Sequence, residues 1–209
     1  MKENLDSYWD PSKKGTVIVS SYRSGTHFLY DNLCSHLRKK NIQISPIQEV
    51  DDLHWVSNSK PYTIAILNSS TPKIPLVKDQ DQLNDWHIVR LTRNNKIEHW
   101  ISHYVWQYHN STEQRFNNTN LPHHGGTQEK YKNIPQVKFD TGLLEPWLLE
   151  QFLINLFSAN ITLDYTDLPL INDTSFKWSP NDYGLDLSQL FSNSNEIHSI
   201  LKDYSVPKV

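Results

Sequence analysis

The chain has 209 residues, with 20 Lys and Arg against 23 Asp and Glu and a formal net charge of −3. That length predicts a single domain, residues 1–209, able to bury a sizeable core without covalent staples, and the mild acidity excludes binding of nucleic acid by bulk positive charge. Its one cysteine, Cys34, excludes an internal disulfide and a zinc site built on cysteines, and it fits a reducing compartment.

The first ten residues are polar and acidic, where an export signal needs an apolar run of about 7 to 15 residues. The expectation is a soluble, cytoplasmic chain. Neither of the longest apolar stretches, Thr16 to Val19 and Leu143 to Leu156, supplies the roughly 20 apolar residues of a membrane span, because the second is interrupted by Glu145, Pro146 and Glu150. Asn-x-Ser/Thr triplets at Asn68, Asn110, Asn117, Asn160 and Asn172 follow from a chain rich in Asn and Ser, and an unexported protein meets no glycosylation machinery.

In chain order, Gly15-Thr16-Val17-Ile18-Val19-Ser20 is a β-branched apolar run that reads as a buried strand. Thr26 to Lys39 follows with Phe28, Leu29, Leu33 and Leu37 at helical spacing and a basic end, Arg38-Lys39-Lys40, suited to a helix C-terminus. Further strands are expected at Tyr62 to Leu67, Ile74 to Lys78, Trp86 to Thr92 and Ile161 to Tyr165. Helices are expected at Lys96 to Tyr108, Leu143 to Ser158 and Leu187 to Leu201. Strands separated by helical patterns predict an α/β fold, a three-layer sandwich around a mostly parallel sheet. The stretch from Asn110 to Val137 is polar and aperiodic, and it is too long for a plain connection.

The most informative segment is Tyr22-Arg23-Ser24-Gly25-Thr26-His27-Phe28-Leu29, where the first strand ends in a small, polar turn that opens a helix. Such a turn aims backbone N–H groups at one spot, at the positive end of the helix dipole, and so cradles an anion. A P-loop of the kinase type reads G-x-x-x-x-G-K-[ST]. Here Ser20 replaces its first Gly and Thr26 its Lys. A plain turn, with Ser24 or Thr26 as helix N-cap, is the alternative.

A second strand, ending in Arg93, leads into a helix carrying Ser102. Together the two segments resemble the sulfotransferases that use 3′-phosphoadenosine 5′-phosphosulfate (PAPS). That family's first motif, P-[RK]-S-G-T-[TS]-x-[LW], is similar to residues 22–29, with Tyr22 for Pro and His27 for the second Thr. Its second motif has the form R-x-x-K-[VI]-x-Q-A-[VI]-S in the bacterial trehalose-type branch. Arg93-Asn94-Asn95-Lys96-Ile97-Glu98-His99-Trp100-Ile101-Ser102 is similar to it. The resemblance runs from about Thr16 to about Tyr183 and implies a P-loop-like fold with PAPS as sulfuryl donor. It implies that Arg23, Ser24, Gly25, Thr26 and His27 hold the 5′-phosphosulfate and that Arg93 and Ser102 hold the 3′-phosphate. Weaker likenesses imply adenine contacts from Tyr165, in Thr162-Leu163-Asp164-Tyr165-Thr166-Asp167-Leu168, and from Thr174, in Asp173-Thr174-Ser175-Phe176.

The implied reaction is in-line transfer of a sulfuryl group to a hydroxyl or amine of a carbohydrate or small molecule. Arg23 would stabilise charge on the leaving phosphate. The family's K-T-H segment corresponds to Lys78-Asp79-Gln80, which keeps the Lys and lacks the His. In the family's trehalose-type and heparan-type branches a Glu after the first helix and second strand is the base, and Ile47-Gln48-Glu49 sits at about that place, so the resemblance implies Glu49, with His54 and Asp79 behind it; Lys78 joins Arg23 and Glu49 as a catalytic candidate. No metal is expected: His99 and His103 share a helical face, but H-E-x-x-H is absent. Two other readings stay open. One is a P-loop nucleotide or small-molecule kinase of the same architecture; the other is a nucleotide-binding module without transfer activity.

Overall fold

The computed structural model describes residues 4–21, 23–47, 61–68, 84–111, 134–155, 158–171 and 184–204. Its strands are β1 (Gly15–Ser20), β2 (Ile44–Ile47), β3 (Tyr62–Asn68), β4 (Trp86–Thr92) and β5 (Ile161–Asp164). They form one sheet in the order β2-β3-β1-β4-β5, and every pairing is parallel. The helices are α1 (Thr26–Lys39), α2 (Lys96–Ser111), α3 (Leu144–Asn155), α4 (Leu187–Leu190) and α5 (Ser194–Asp203), with 3-10 turns at Leu5–Tyr8, Thr141–Leu143 and Tyr165–Ile171. No described helix is long and apolar enough to cross a membrane.

The chain divides into two compact units, the first taking in the described residues of Met1–Asn94 and Leu149–Trp178, the second those of Asn95–Leu148 and Ser179–Ser205. In the first, alternate residues of the central strands serve two cores, as the period of two in a strand dictates. Ile18, Ile64, Ile66, Val89 and Leu91 pack with Leu29, Leu33 and Leu37 of α1 and with Leu168 and Ile171. Val17, Val19, Ala65, Leu67 and Ile88 pack with Ile154 of α3. Each fully buried Val, Leu or Ile among them contributes about 1.5–3 kcal/mol before entropy is counted. Helix α1 stops where Asn41 takes a left-handed φ of 58°. There the N–H of Ile42 donates to Leu37 O at 3.0 Å and that of Asn41 to Arg38 O at 2.9 Å, a Schellman closure.

The second unit is helical. Trp100, Ile101 and Val105 of α2, Leu144, Trp147 and Leu148 of α3, Leu187 and Leu190 of α4, and Ile197 and Leu201 of α5 share one core with Phe191. A capping box between Asp186 and Gln189 starts α4.

Several elements differ from the sequence expectation. Residues 44–47 form an edge strand that the Pro46-containing sequence conceals, since the period-2 pattern is only four residues long. Tyr165 opens a 3-10 turn instead of ending β5. The helix expected over Leu143 to Ser158 spans Leu144–Asn155, with Leu143 in the preceding 3-10 turn. The helix expected over Leu187 to Leu201 is two helices, because Val137 pairs with Phe191 between them: the N–H of Val137 donates to Leu190 O at 3.0 Å and that of Ser192 to Val137 O at 2.9 Å. The expected strand Ile74 to Lys78 and most of the Asn110 to Val137 stretch lie outside the described residues.

Candidate functional site

Strands β1 and β4 are neighbours, paired from Gly15↔Trp86 to Ser20↔Leu91. The chain leaving β1 runs through α1 to β2 on one side of the sheet, whereas the chain after β4 next enters the sheet at β5 on the other side. In open parallel sheets this divergence leaves a crevice at the carboxyl ends of the strands, where ligands bind. Arg23 follows β1 and Arg93 follows β4, so the two motif arginines issue from the strands that flank this point.

The turn from β1 to α1 is built of buried hydroxyls. Ser20, Ser21, Ser24 and Thr26 are all buried. Ser20 Oγ lies 2.6 Å from Thr26 Oγ1, and Ser21 Oγ lies 3.0 Å from Ser24 Oγ. Two residues adopt left-handed backbone: Gly25, at φ 81°, and the half-buried Arg23, at φ 66°. Gly25 pays nothing for it, while at Arg23 the Cβ makes it a strained position. Gly25 is also the N-cap of α1, so neither Ser24 nor Thr26 has the capping role considered from sequence; their hydroxyls serve the turn. The cap supplies no side-chain hydrogen bond, and the first turn of α1 carries no acidic residue to neutralise the positive end of the helix dipole.

Arg93 is 4% exposed. Its Nη1 donates to the backbone carbonyl of Arg23 at 3.2 Å, and its Cζ stands 4.0 Å from the centre of the Tyr165 ring. This is the stacked geometry in which a guanidinium is held by a π face. Asp164 secures the arrangement by accepting from the N–H of Asn94 at 2.9 Å and from the N–H and hydroxyl of Thr166 at 3.0 and 2.7 Å, which ties the end of β4 to the end of β5. The structure thus brings together Arg23, Ser24, Gly25, Thr26, Arg93 and Tyr165. Tyr165, expected against adenine, presents its ring to Arg93. His27 is half-buried on the first turn of α1.

Ser102 is fully buried on α2, in the second unit. There His99 and His103 pack against aromatic rings, His99 with its centroid 5.1 Å from that of Trp147 and His103 stacked on Trp100 at 5.7 Å. Among the described residues no group of three or more His, Cys, Asp or Glu is placed to hold a metal ion. Glu49, Lys78, His54, Asp79 and Thr174 lie outside the described residues. Cys34 lies on the buried face of α1, where burial pushes its thiol up to about 11.

Sequence reasoning missed one polar neighbour of the turn. Gln151, on α3, accepts from Ser21 Oγ through Oε1 at 3.2 Å and is 3% exposed. It stands 130 residues from Ser21 in the chain, and nothing in the local pattern of α3 marks it.

No family model, no curated protein and no solved structure matches the chain.

Proposed function

We propose that the chain is a PAPS-dependent sulfotransferase acting on a hydroxyl or amine of a carbohydrate or small molecule. One observation carries the reading: the buried guanidinium of Arg93 reaches the carbonyl of Arg23, joining at the carboxyl ends of β1 and β4 the two segments that resemble the family's phosphosulfate and 3′-phosphate motifs. The residues fit an anionic nucleotide. A left-handed Ser-Gly turn opens α1 without a carboxylate in its first turn, and a second cation lies beside it.

PAPS, when bound, supplies an activated sulfuryl group. Arg23, Ser24, Gly25, Thr26 and His27 would hold its phosphosulfate, and Arg93 its 3′-phosphate. Tyr165 fixes the plane of the Arg93 guanidinium, so that less rotamer freedom is lost when phosphate binds. Arg23 acts where charge grows on the departing phosphate, and its service is electrostatic. Glu49 takes the acceptor's proton, with Lys78 as a further cation. The kinase reading is weakened by Thr26, which stands where a P-loop has its Lys.

Calorimetric titration of the metal-free protein with adenosine 3′,5′-bisphosphate tests the proposal. Micromolar binding is expected, with ATP weaker and with Arg93→Ala about 100-fold weaker, the loss of two charge-assisted hydrogen bonds. A preference for ATP with magnesium would replace the proposal with the kinase reading. Glu49→Gln is expected to keep bisphosphate binding and lose turnover, whereas a binding module has no turnover to lose.

A further inference from the structure

The carboxamide of Gln151 has two ends with different fates. Oε1 accepts from Ser21 Oγ at 3.2 Å, in the turn between β1 and α1. Nε2 is buried and makes no hydrogen bond among the described residues. An orphaned amide N–H in a buried setting is costly, and native structures keep few such groups without a reason. The residue is 3% exposed, and Ile154, three residues on, packs against the sheet. The Oε1 contact with Ser21 Oγ places the carboxamide at the turn.

The turn itself lacks a carboxylate in the first turn of α1, and its hydroxyls are drawn together at Ser21, whose Oγ lies 3.0 Å from Ser24 Oγ. A neutral amide is the side chain such a place tolerates if the ligand is an anion. It donates without adding charge, and its other end accepts from Ser21. Glutamate, of the same shape, would offer only acceptors when ionised and would repel the ligand.

We infer that Gln151 is a further binding residue of this site, its Nε2 donating to the tetrahedral oxyanion group held in the β1–α1 turn. The inference rests on the anion-binding part of the function proposed above, and it does not depend on which nucleotide carries the oxyanion.

The test measures the binding of two probes, inorganic pyrophosphate and adenosine 3′,5′-bisphosphate, to the full chain and to Gln151→Met and Gln151→Glu, with urea unfolding of each as a check on the fold. Gln151→Met keeps the volume and loses the donor; a tenfold loss of pyrophosphate affinity is expected, equivalent to about 1.4 kcal/mol. Gln151→Glu keeps an acceptor for Ser21 Oγ and loses more. Its affinity relative to wild type is expected to rise as pH falls and the introduced carboxyl gains a proton, a ratio that cancels the titration of the probe. A merely structural contact with Ser21 gives a ratio that is flat with pH.

If both variants bind pyrophosphate within twofold of wild type, the inference is overturned, and bisphosphate binding that Arg93→Ala abolishes would leave the sulfotransferase reading standing. If wild type binds pyrophosphate in a Gln151-dependent way yet ignores the bisphosphate, the PAPS reading fails and the inference holds. Binding of neither probe overturns both.

Discussion

Arg23 adopts a left-handed φ of 66° in the turn between β1 and α1, and two substitutions there separate strain from binding. A residue with a Cβ costs roughly 1–2 kcal/mol in that conformation. Glycine avoids the cost but loses about 0.5–1 kcal/mol more backbone entropy on folding. Arg23→Gly is therefore expected to exceed Arg23→Ala in stability by about 0.5–1 kcal/mol. Neither variant alters the Arg23 carbonyl that accepts from Arg93 Nη1, so the comparison isolates the backbone. The control is Ser35, in the middle of α1, where Ala is expected to exceed Gly by about 1 kcal/mol. The two sites thus differ in sign, with a double difference of about 1.5–2 kcal/mol. Urea midpoints analysed with a common slope resolve that; in thermal unfolding each kcal/mol moves the midpoint by roughly 2–4 °C at this size. Both variants lack the guanidinium, and both are expected to bind adenosine 3′,5′-bisphosphate more weakly than wild type, whichever way stability moves. Equal or greater stability for Arg23→Ala would refute the claim that Arg23 is strained in this turn.

At the other end of β1, Gly15→Ala places a Cβ 2.7 Å from Trp86 Cζ3 and closer still to the carbonyl oxygen of Thr63. A backbone carbonyl in a central parallel pair has nowhere to turn, so a loss of about 3 kcal/mol is expected, at the upper end for overpacking; a urea midpoint equal to wild type would contradict it. Near the N-terminus, Asp6 lies 2.5 Å from Lys40 Nζ and 2.8 Å from His36 Nε2, and these partners, Lys40 first, hold its carboxyl well below the usual carboxylate range. A depressed carboxylate stabilises the fold above its unfolded value near 4 and loses that stabilisation as pH falls through its folded value. Thermal unfolding of Asp6→Asn is expected to show a small deficit at pH 7, as befits a solvent-screened pair, that closes below about pH 4. A gap that persists or widens in acid would show that the carboxylate is not its source.

Much of the site was legible because its parts are local. The strand-turn-helix of residues 15–39 is written in a β-branched run, a Ser-Gly turn and four apolar residues at helical spacing, and each signal needs only near neighbours. The same holds for β4, Arg93 and the start of α2. Short or interrupted elements were not legible: β2 is four residues with an internal Pro46, and the break at Phe191 is made by Val137, more than fifty residues away. A periodic pattern has no means of recording a partner at that distance.

By itself, then, the sequence determined which residues become β1, α1 and β4, and that a Ser-Gly turn and two arginines follow the strands in question, because hydrophobic period and turn chemistry act over a few residues. Only the tertiary structure decided that β1 and β4 lie side by side, which brings Arg93 to the Arg23 carbonyl. It also decided that Tyr165 lies against the guanidinium and that Gln151 meets Ser21. Those contacts join segments 70 and 130 residues apart, and they exist because burying both faces of one parallel sheet fixes the order of its strands and with it the neighbours of every loop at their carboxyl ends.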